Sequence, residues 1–268
     1  MGKLPFAADA PVSIGRVGLK ARDADRLAGY YRMVFGLEEL RRGKGTIVLG
    51  AGGRALLEIE GSVTFRPDDP RAAGLFHTAF LLPSRAELAR WATHAAQSRI
   101  TITGASDHLV SEAIYLDDPE GNGIEIYRDR PRDEWPVEDG AVKMATERLD
   151  LRALIGSLPE GDAGWSGAPD DTVIGHVHLR VGNAAEAESW WNGEMGFDTM
   201  ARYGGGAVFL STGGYHHHIG ANSWRSAGAG PRGADRAGLG FVELLARGNA
   251  KIGEKLDPWG NEIRTVAT

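Results

Sequence analysis

Two stretches decide the architecture: Ile14–Leu40, IGRVGLKARDADRLAGYYRMVFGLEEL, and Ile174–Met200, IGHVHLRVGNAAEAESWWNGEMGFDTM. They match at an offset of about 160 residues, with Tyr30-Tyr31 against Trp190-Trp191 and Gly36-Leu37 against Gly196-Phe197. Such self-similarity marks a repeated structural unit. Each copy opens on alternating residues, Val17 to Ala21 or Val177 to Val181, the pattern of a strand. Asp23 or Asn183 is a plausible N-cap for the helix that follows, and Gly36 or Gly196 suits its C-terminal end. Short apolar segments separated by glycines come next, TIVLGAGG then RALLEIE, or AVFLSTGG then YHHHIGAN. The unit reads as βαβββ.

A second pair begins at Ala73 (AGLFHTAFLLPSRAELARW) and Ala237 (AGLGFVELLARG). The first runs through a helix, Ser84 to Gln97, and ends in DDPEGNGIEIYRD; the second passes almost at once to DPWGNEIRTVA. His77 lies 41 positions before Asp118, whereas the matching Phe241 lies only 16 before Asp257. The fourth unit has therefore lost enough chain for its helix and one or two strands. The expected class is α+β, with four βαβββ modules, the last truncated. Residues 10–131 hold the first pair of modules and 172–268 the second. The Pro-, Gly- and Asp-rich segment 132–171, with one short helix at Leu149 to Leu154, connects them; it is long for a loop within a compact domain.

Composition narrows the function. Apolar residues make up 42% and charged residues 25% of 268, the balance of a globular chain rather than a disordered one. The net charge of -6 argues against a nucleic-acid partner. No apolar run approaches the roughly 18 residues of a membrane span, so no membrane partner is expected. The N-terminal MGKLPFAADAPV has no secretory apolar core, and a cytoplasmic location is expected. Cysteine is absent, which excludes disulfides, thiolate metal sites and Cys nucleophiles. Any metal must sit on nitrogen and oxygen donors.

The paired IGxVxL strand starts, the YYxxxFGL and WWxxxMGF helix ends and the DPxGN turns resemble the vicinal oxygen chelate superfamily, which includes glyoxalase I, extradiol catechol dioxygenases and bleomycin-resistance proteins. The stretches HTAFLLPSRAEL, GASDHLVSEAIYLDDPEGNGIEIYRDRP and GHVHL…GGYHHHIGANSW are most similar to the bacterial catechol 2,3-dioxygenase branch. The resemblance implies two half-open mixed β-barrels, each made by two modules, with metal ligands on the first and last strand of a module. Those positions are Arg16 and Leu57 or Glu58 in module one, His77 and Glu125 in module two, His176 and His218 in module three, and Phe241 and Arg264 in module four. Two histidines and a carboxylate form the ligand set of non-heme Fe(II) oxygenases, whereas an arginine repels a cation and stays charged. Pairing modules two and three would gather His77, Glu125, His176 and His218 in one barrel. Pairing one with two and three with four would split them. The central pairing is the one expected, leaving Arg264 a structural role opposite a carboxylate such as Glu58.

The residues also carry plainer readings. A lone histidine on a strand is more often a packed or surface residue than a ligand, and His94 and His178 are read that way, His178 facing out beside His176. In the run 216–218, strand alternation would put His216 and His218 on one face and His217 on the other. Glu125, between Ile124 and Ile126, would ordinarily mark a solvent face. His108 is a candidate acid–base group, since an imidazole titrates near neutrality, with His216 a second. Tyr215 and Tyr127 are weaker candidates.

The resemblance implies a metal-dependent extradiol ring-cleaving dioxygenase using a catechol-type aromatic and O2, an activity of aromatic catabolism. Fe(II) is the expected metal, with Mn(II), Zn(II) and Ni(II) as alternatives. His218 could be a fourth ligand or stand behind the others. Four protein ligands would instead suit a glyoxalase-like metal-dependent lyase or isomerase, and a metal-free cavity a non-catalytic small-molecule binder. A homodimer is compatible with the sequence, which does not decide the assembly.

Overall fold

The structure, a computed structural model, describes residues 4–138, 141–248 and 252–268. Among the described residues two large sheets dominate. The nine-stranded sheet runs Glu147–Arg148, Gly104–Asp107, Ser111–Asp117, Gly123–Asp129, Gly74–Leu81, Val173–Arg180, Ile219–Asn222, Ala207–Ser211, Asp198–Tyr203. The seven-stranded sheet runs Gly253–Leu256, Glu262–Ala267, Gly238–Ala246, Val12–Ala21, Arg54–Gly61, Thr46–Ala51, Glu38–Gly43. Modules two and three therefore share one sheet, and modules one and four the other. Each sheet takes one module from each half of the chain.

The seams are antiparallel pairs of first strands. His77 stands opposite His178, and Ala79 opposite His176; in the other sheet Val17 faces Val242 and Gly18 faces Phe241. Within a module the first and last strands run parallel, Ala79 beside Glu125 and Val17 beside Leu57. A parallel pair requires a crossover, and the helix supplies it in modules one to three. Module four passes from Gly238–Ala246 to Gly253–Leu256 with no helix among its described residues.

The helices form where their caps say they should. Asp23 accepts from the Arg26 amide at 3.0 Å, and Gly36, at φ 73°, closes Ala24–Phe35 by donating to Arg32. Asn183 and Gly196 repeat the arrangement around Ala184–Met195. Leu27, Ala28, Tyr31, Val34 and Phe35 form one buried face of the first helix. Each large side chain so buried contributes roughly 1.5–3 kcal/mol. The DPxGN turns are carboxylate-braced: Asp118 accepts from the amides of Glu120 and Asn122 and from the Asn122 side chain at 2.8–3.0 Å. Asp257 does the same for Trp259 and Asn261. Each turn fixes the start of a last strand.

The connecting segment is more ordered than a loop. A single turn of 3-10 helix spans Arg132–Glu134, Val137–Glu138 pairs with Ala141–Val142, and Glu147–Arg148 extends the larger sheet against Asp107 and Ser106. The short helix spans Leu151–Ile155, with Asp150 accepting from the Arg152 and Ala153 amides.

Candidate metal centre

Parallel and antiparallel register bring three side chains to one point on the larger sheet. His77 Nε2 lies 3.3 Å from His176 Nε2. Glu125 Oε2 lies 3.0 Å from the first and 3.1 Å from the second. All three residues are buried, Glu125 at 2% exposure although it alternates with Ile124 and Ile126. The strand is covered on both faces, so its polar residue marks a site rather than the solvent side. Glycines admit the arrangement. A Cβ on Gly123 would stand 2.3 Å from the Phe76 carbonyl, and one on Gly175 1.8 Å from the Tyr127 hydroxyl.

Charge prepares the same point. Burial by itself raises the Glu125 carboxyl, but its interactions with the two imidazoles, His176 before His77, outweigh it and hold the group well below the usual carboxylate range. Burial pushes His176 down to about 4 against the pull of Glu125. Near neutral pH this gives an ionised carboxylate beside a neutral imidazole, the protonation state a metal requires. The two imidazole nitrogens and the carboxylate oxygen point at one another within 3.0–3.3 Å. The buried His176 Nδ1 has no hydrogen-bond partner. The donor set fits a divalent cation, and these three form the one His/Asp/Glu group within ligating distance among the described residues.

His218 is not part of this group, a departure from the ligand position expected for it. Its Nε2 is 2.9 Å from the Ala7 carbonyl and its Nδ1 2.8 Å from Ser211 Oγ. The physical reason lies in the turn before it. Gly213 and Gly214 both take positive φ, and the strand begins only at Ile219, so alternation does not govern 215–218. His217 is the residue of the run that reaches the cavity, its ring centroid 4.1 Å from that of His176. His216, expected at the reaction centre, is buried behind it, with Nδ1 2.8 Å from His217 Nδ1 and Nε2 2.9 Å from Asp129. Tyr215 and Tyr127 share a 2.7 Å hydroxyl contact there.

The three donors open onto a cavity of about 380 Å³. His108 lines it: Nδ1 is 2.7 Å from the Ala145 carbonyl and Nε2 2.6 Å from the Tyr115 hydroxyl. A carbonyl only accepts, so Nδ1 carries the proton and Nε2 accepts from Tyr115. His178 also lines the cavity, buried at 3% with Nε2 unpartnered, rather than facing out. Strand alternation puts it on the face of His176, so that signal was present in the sequence. His94 stays on its helix, Nδ1 3.3 Å from Ser98 Oγ.

The other sheet is closed by ion pairs. Arg16 bridges Glu58 at 2.9 Å and Glu243 at 3.0 Å. Arg264 is held by Glu262 at 2.6 Å and lies over the Phe241 ring at 3.7 Å. Glu58, the partner expected for Arg264, belongs to Arg16 instead, while the Arg264 guanidinium lies over Phe241 of the adjacent strand, which is itself two strands away from that of Glu58.

Residues 13–126 match the family model of the glyoxalase/bleomycin resistance protein/dioxygenase superfamily. A protein of Bacillus subtilis (strain 168) named catechol-2,3-dioxygenase is 37% identical over 256 residues, which is 94% of this chain and 87% of that one. The chain belongs to this superfamily. Solved structures of similar fold include a glyoxalase I variant from Zea mays, 14% identical with a TM-score of 0.57 over 98% of this chain and 96% of the other. The cppA protein of Streptococcus pneumoniae, 13% identical, has a TM-score of 0.55 over 95% and 98%. These two likenesses concern the fold alone. Within this superfamily the chain carries a His/Glu/His group suited to a divalent metal.

Proposed function

We propose that the protein is an extradiol ring-cleaving dioxygenase acting on a catechol with O2, and that His77, Glu125 and His176 hold its metal, Fe(II) in the first instance. The observation that carries this reading is the convergence of two imidazole nitrogens and one carboxylate on a buried point, with no fourth His, Asp or Glu grouped with them among the described residues. Three protein donors leave more open positions than four, as a chelating diol together with O2 requires. That favours a dioxygenase over a glyoxalase-like enzyme. A divalent metal held there would supply Lewis acidity and a common template for the two reactants.

The surrounding side chains handle the protons. Asp129 accepts from His216 Nε2–H, so His216 Nδ1 is an acceptor and His217 Nδ1 must carry the hydrogen between them. That leaves His217 Nε2 as the basic nitrogen. Burial, then the neighbouring His176, pushes His217 well below the ordinary imidazole range, so the ring is neutral and its Nε2 lone pair can receive a hydrogen bond from a substrate hydroxyl. The Tyr115–His108 pair supplies a second proton relay on the module-two wall, Tyr115 bearing a hydroxyl that burial and the Glu125 charge keep protonated.

The test is anaerobic loading with Fe(II), addition of catechol and oxygen, and measurement of O2 uptake. One O2 consumed per ring opened is expected, and His217→Gln should lower kcat by about 10²–10⁴-fold, the range of a lost acid–base group. No uptake with Fe(II) or Mn(II), together with turnover of a glutathione hemithioacetal with Zn(II) or Ni(II), would transfer the assignment to the glyoxalase-like class.

A further inference from the structure

We propose, on the dioxygenase reading above, that this cavity selects uncharged catechols bearing a second apolar ring or a substituent of similar bulk, and rejects carboxylated catechols. Volume is the first ground. A cavity of about 150 Å³ suffices for benzene, whereas this one has about 380 Å³. A single ring chelated at the buried donors leaves more than half of the space to be filled.

The second ground is what lines that space. An aromatic wall leads outward from the donors. Phe76 lies 5.4 Å from the His77 ring, 5.1 Å from His178 and 5.5 Å from Trp224. Phe209 stands 5.7 Å beyond His178. Trp224 ends the wall, half exposed at 50%, a large apolar surface left open at a cavity mouth. A flat apolar substituent entering along this wall meets the ring faces and edges of Phe76, Phe209 and Trp224.

The third ground is charge. No lysine or arginine is among the described residues lining the cavity, and its one permanently charged group is Glu125. The cations flanking the mouth have carboxylate neighbours already. Lys143, beside the lining Met144, pairs with Glu138 at 3.0 Å. Arg202, beside the lining Tyr203, pairs with Glu188. Arg225, beside Trp224, acts on Asp117. A carboxylate on the substrate would lose its water without gaining a partner, which is costly.

Anaerobic calorimetric titration of the Fe(II)-loaded protein with catechol, 4-phenylcatechol and 3,4-dihydroxybenzoate tests this without turnover. The phenyl compound should bind about tenfold more tightly than catechol, and the benzoate at least about tenfold more weakly, tenfold being about 1.4 kcal/mol. Trp224→Ala should bring the phenyl-to-catechol affinity ratio toward one. Met144→Arg, which adds the missing cation, should raise the benzoate-to-catechol ratio. The three probes on the parent protein decide the matter even if either variant fails to fold. Equal affinity for catechol and 4-phenylcatechol, or a benzoate that binds as well as catechol, overturns the selectivity while leaving the dioxygenase reading intact. Failure of all three catechols to bind overturns both.

Discussion

Acidification should destabilise this protein in a way that one buried imidazole makes measurable. His218 is fully buried; Nε2 faces the Ala7 carbonyl and so carries the proton, and Nδ1 faces Ser211. Burial lowers its pKa from 6.5 to about 4. A base whose pKa is lower in the folded state binds protons more readily when unfolded, so its contribution to stability is intact above pH 6.5 and is lost as the pH falls toward 4. The full loss is about 3 kcal/mol at 1.36 kcal/mol per pKa unit, of which about 2 kcal/mol falls between pH 7 and pH 5. His218→Gln keeps a donor for Ala7 and an acceptor for Ser211 but does not titrate. Urea unfolding of metal-free parent and variant at both pH values isolates the group, because His176, His178 and His217 titrate in both proteins and cancel. The parent should lose about 2 kcal/mol more than the variant on going from pH 7 to 5, with similar m-values. Equal losses would mean that the native imidazole is already protonated, or not enclosed as the structure has it.

Glu125→Gln preserves shape while removing the single negative charge among the converging donors, so stoichiometric Fe(II) should be lost on dialysis while the circular dichroism spectrum is retained. Retained stoichiometric metal would remove Glu125 from the ligand set. Arg264→Glu should not create a second metal equivalent, since Arg16 still occupies that barrel between Glu58 and Glu243; elemental analysis checks this. Arg16→Ala strands two partly buried carboxylates and should cost about 1–2 kcal/mol at pH 7 in chemical denaturation, less at pH 4, where they are neutralised. Gly175→Ala forces a methyl group against the Tyr127 hydroxyl and should destabilise by about 1–3 kcal/mol and weaken metal retention.

Most of the module grammar is local and so could be read from the residues. Asp23 and Gly36, or Asn183 and Gly196, specify helix ends through bonds that reach no more than five positions along the chain, and a DPxGN turn is closed by its own aspartate. The 25 missing positions in module four likewise announced a lost helix. The histidine run is different. Gly213-Gly214 announced a turn, but which ring of His216, His217 and His218 enters the cavity depends on where strand pairing resumes, at Ile219, and on Asp129 and Ala7, which lie far away in sequence to receive the other two.

The sequence by itself put forward the donors, His77, Glu125, His176 and His218, because a module's register is set by hydrogen bonds within about fifty residues. Their meeting was a decision of the tertiary structure. His77 and His176 lie on different modules, and only antiparallel pairing of Gly74–Leu81 with Val173–Arg180 puts them 3.3 Å apart. The first strands of modules one and four could in principle have offered their edges to either central module. Arg16 pairs with both Glu58 and Glu243 when modules one and four join, and the same join leaves the two imidazoles and the carboxylate to close on one point. That outcome is fixed by the sum of long-range contacts, which no local pattern encodes.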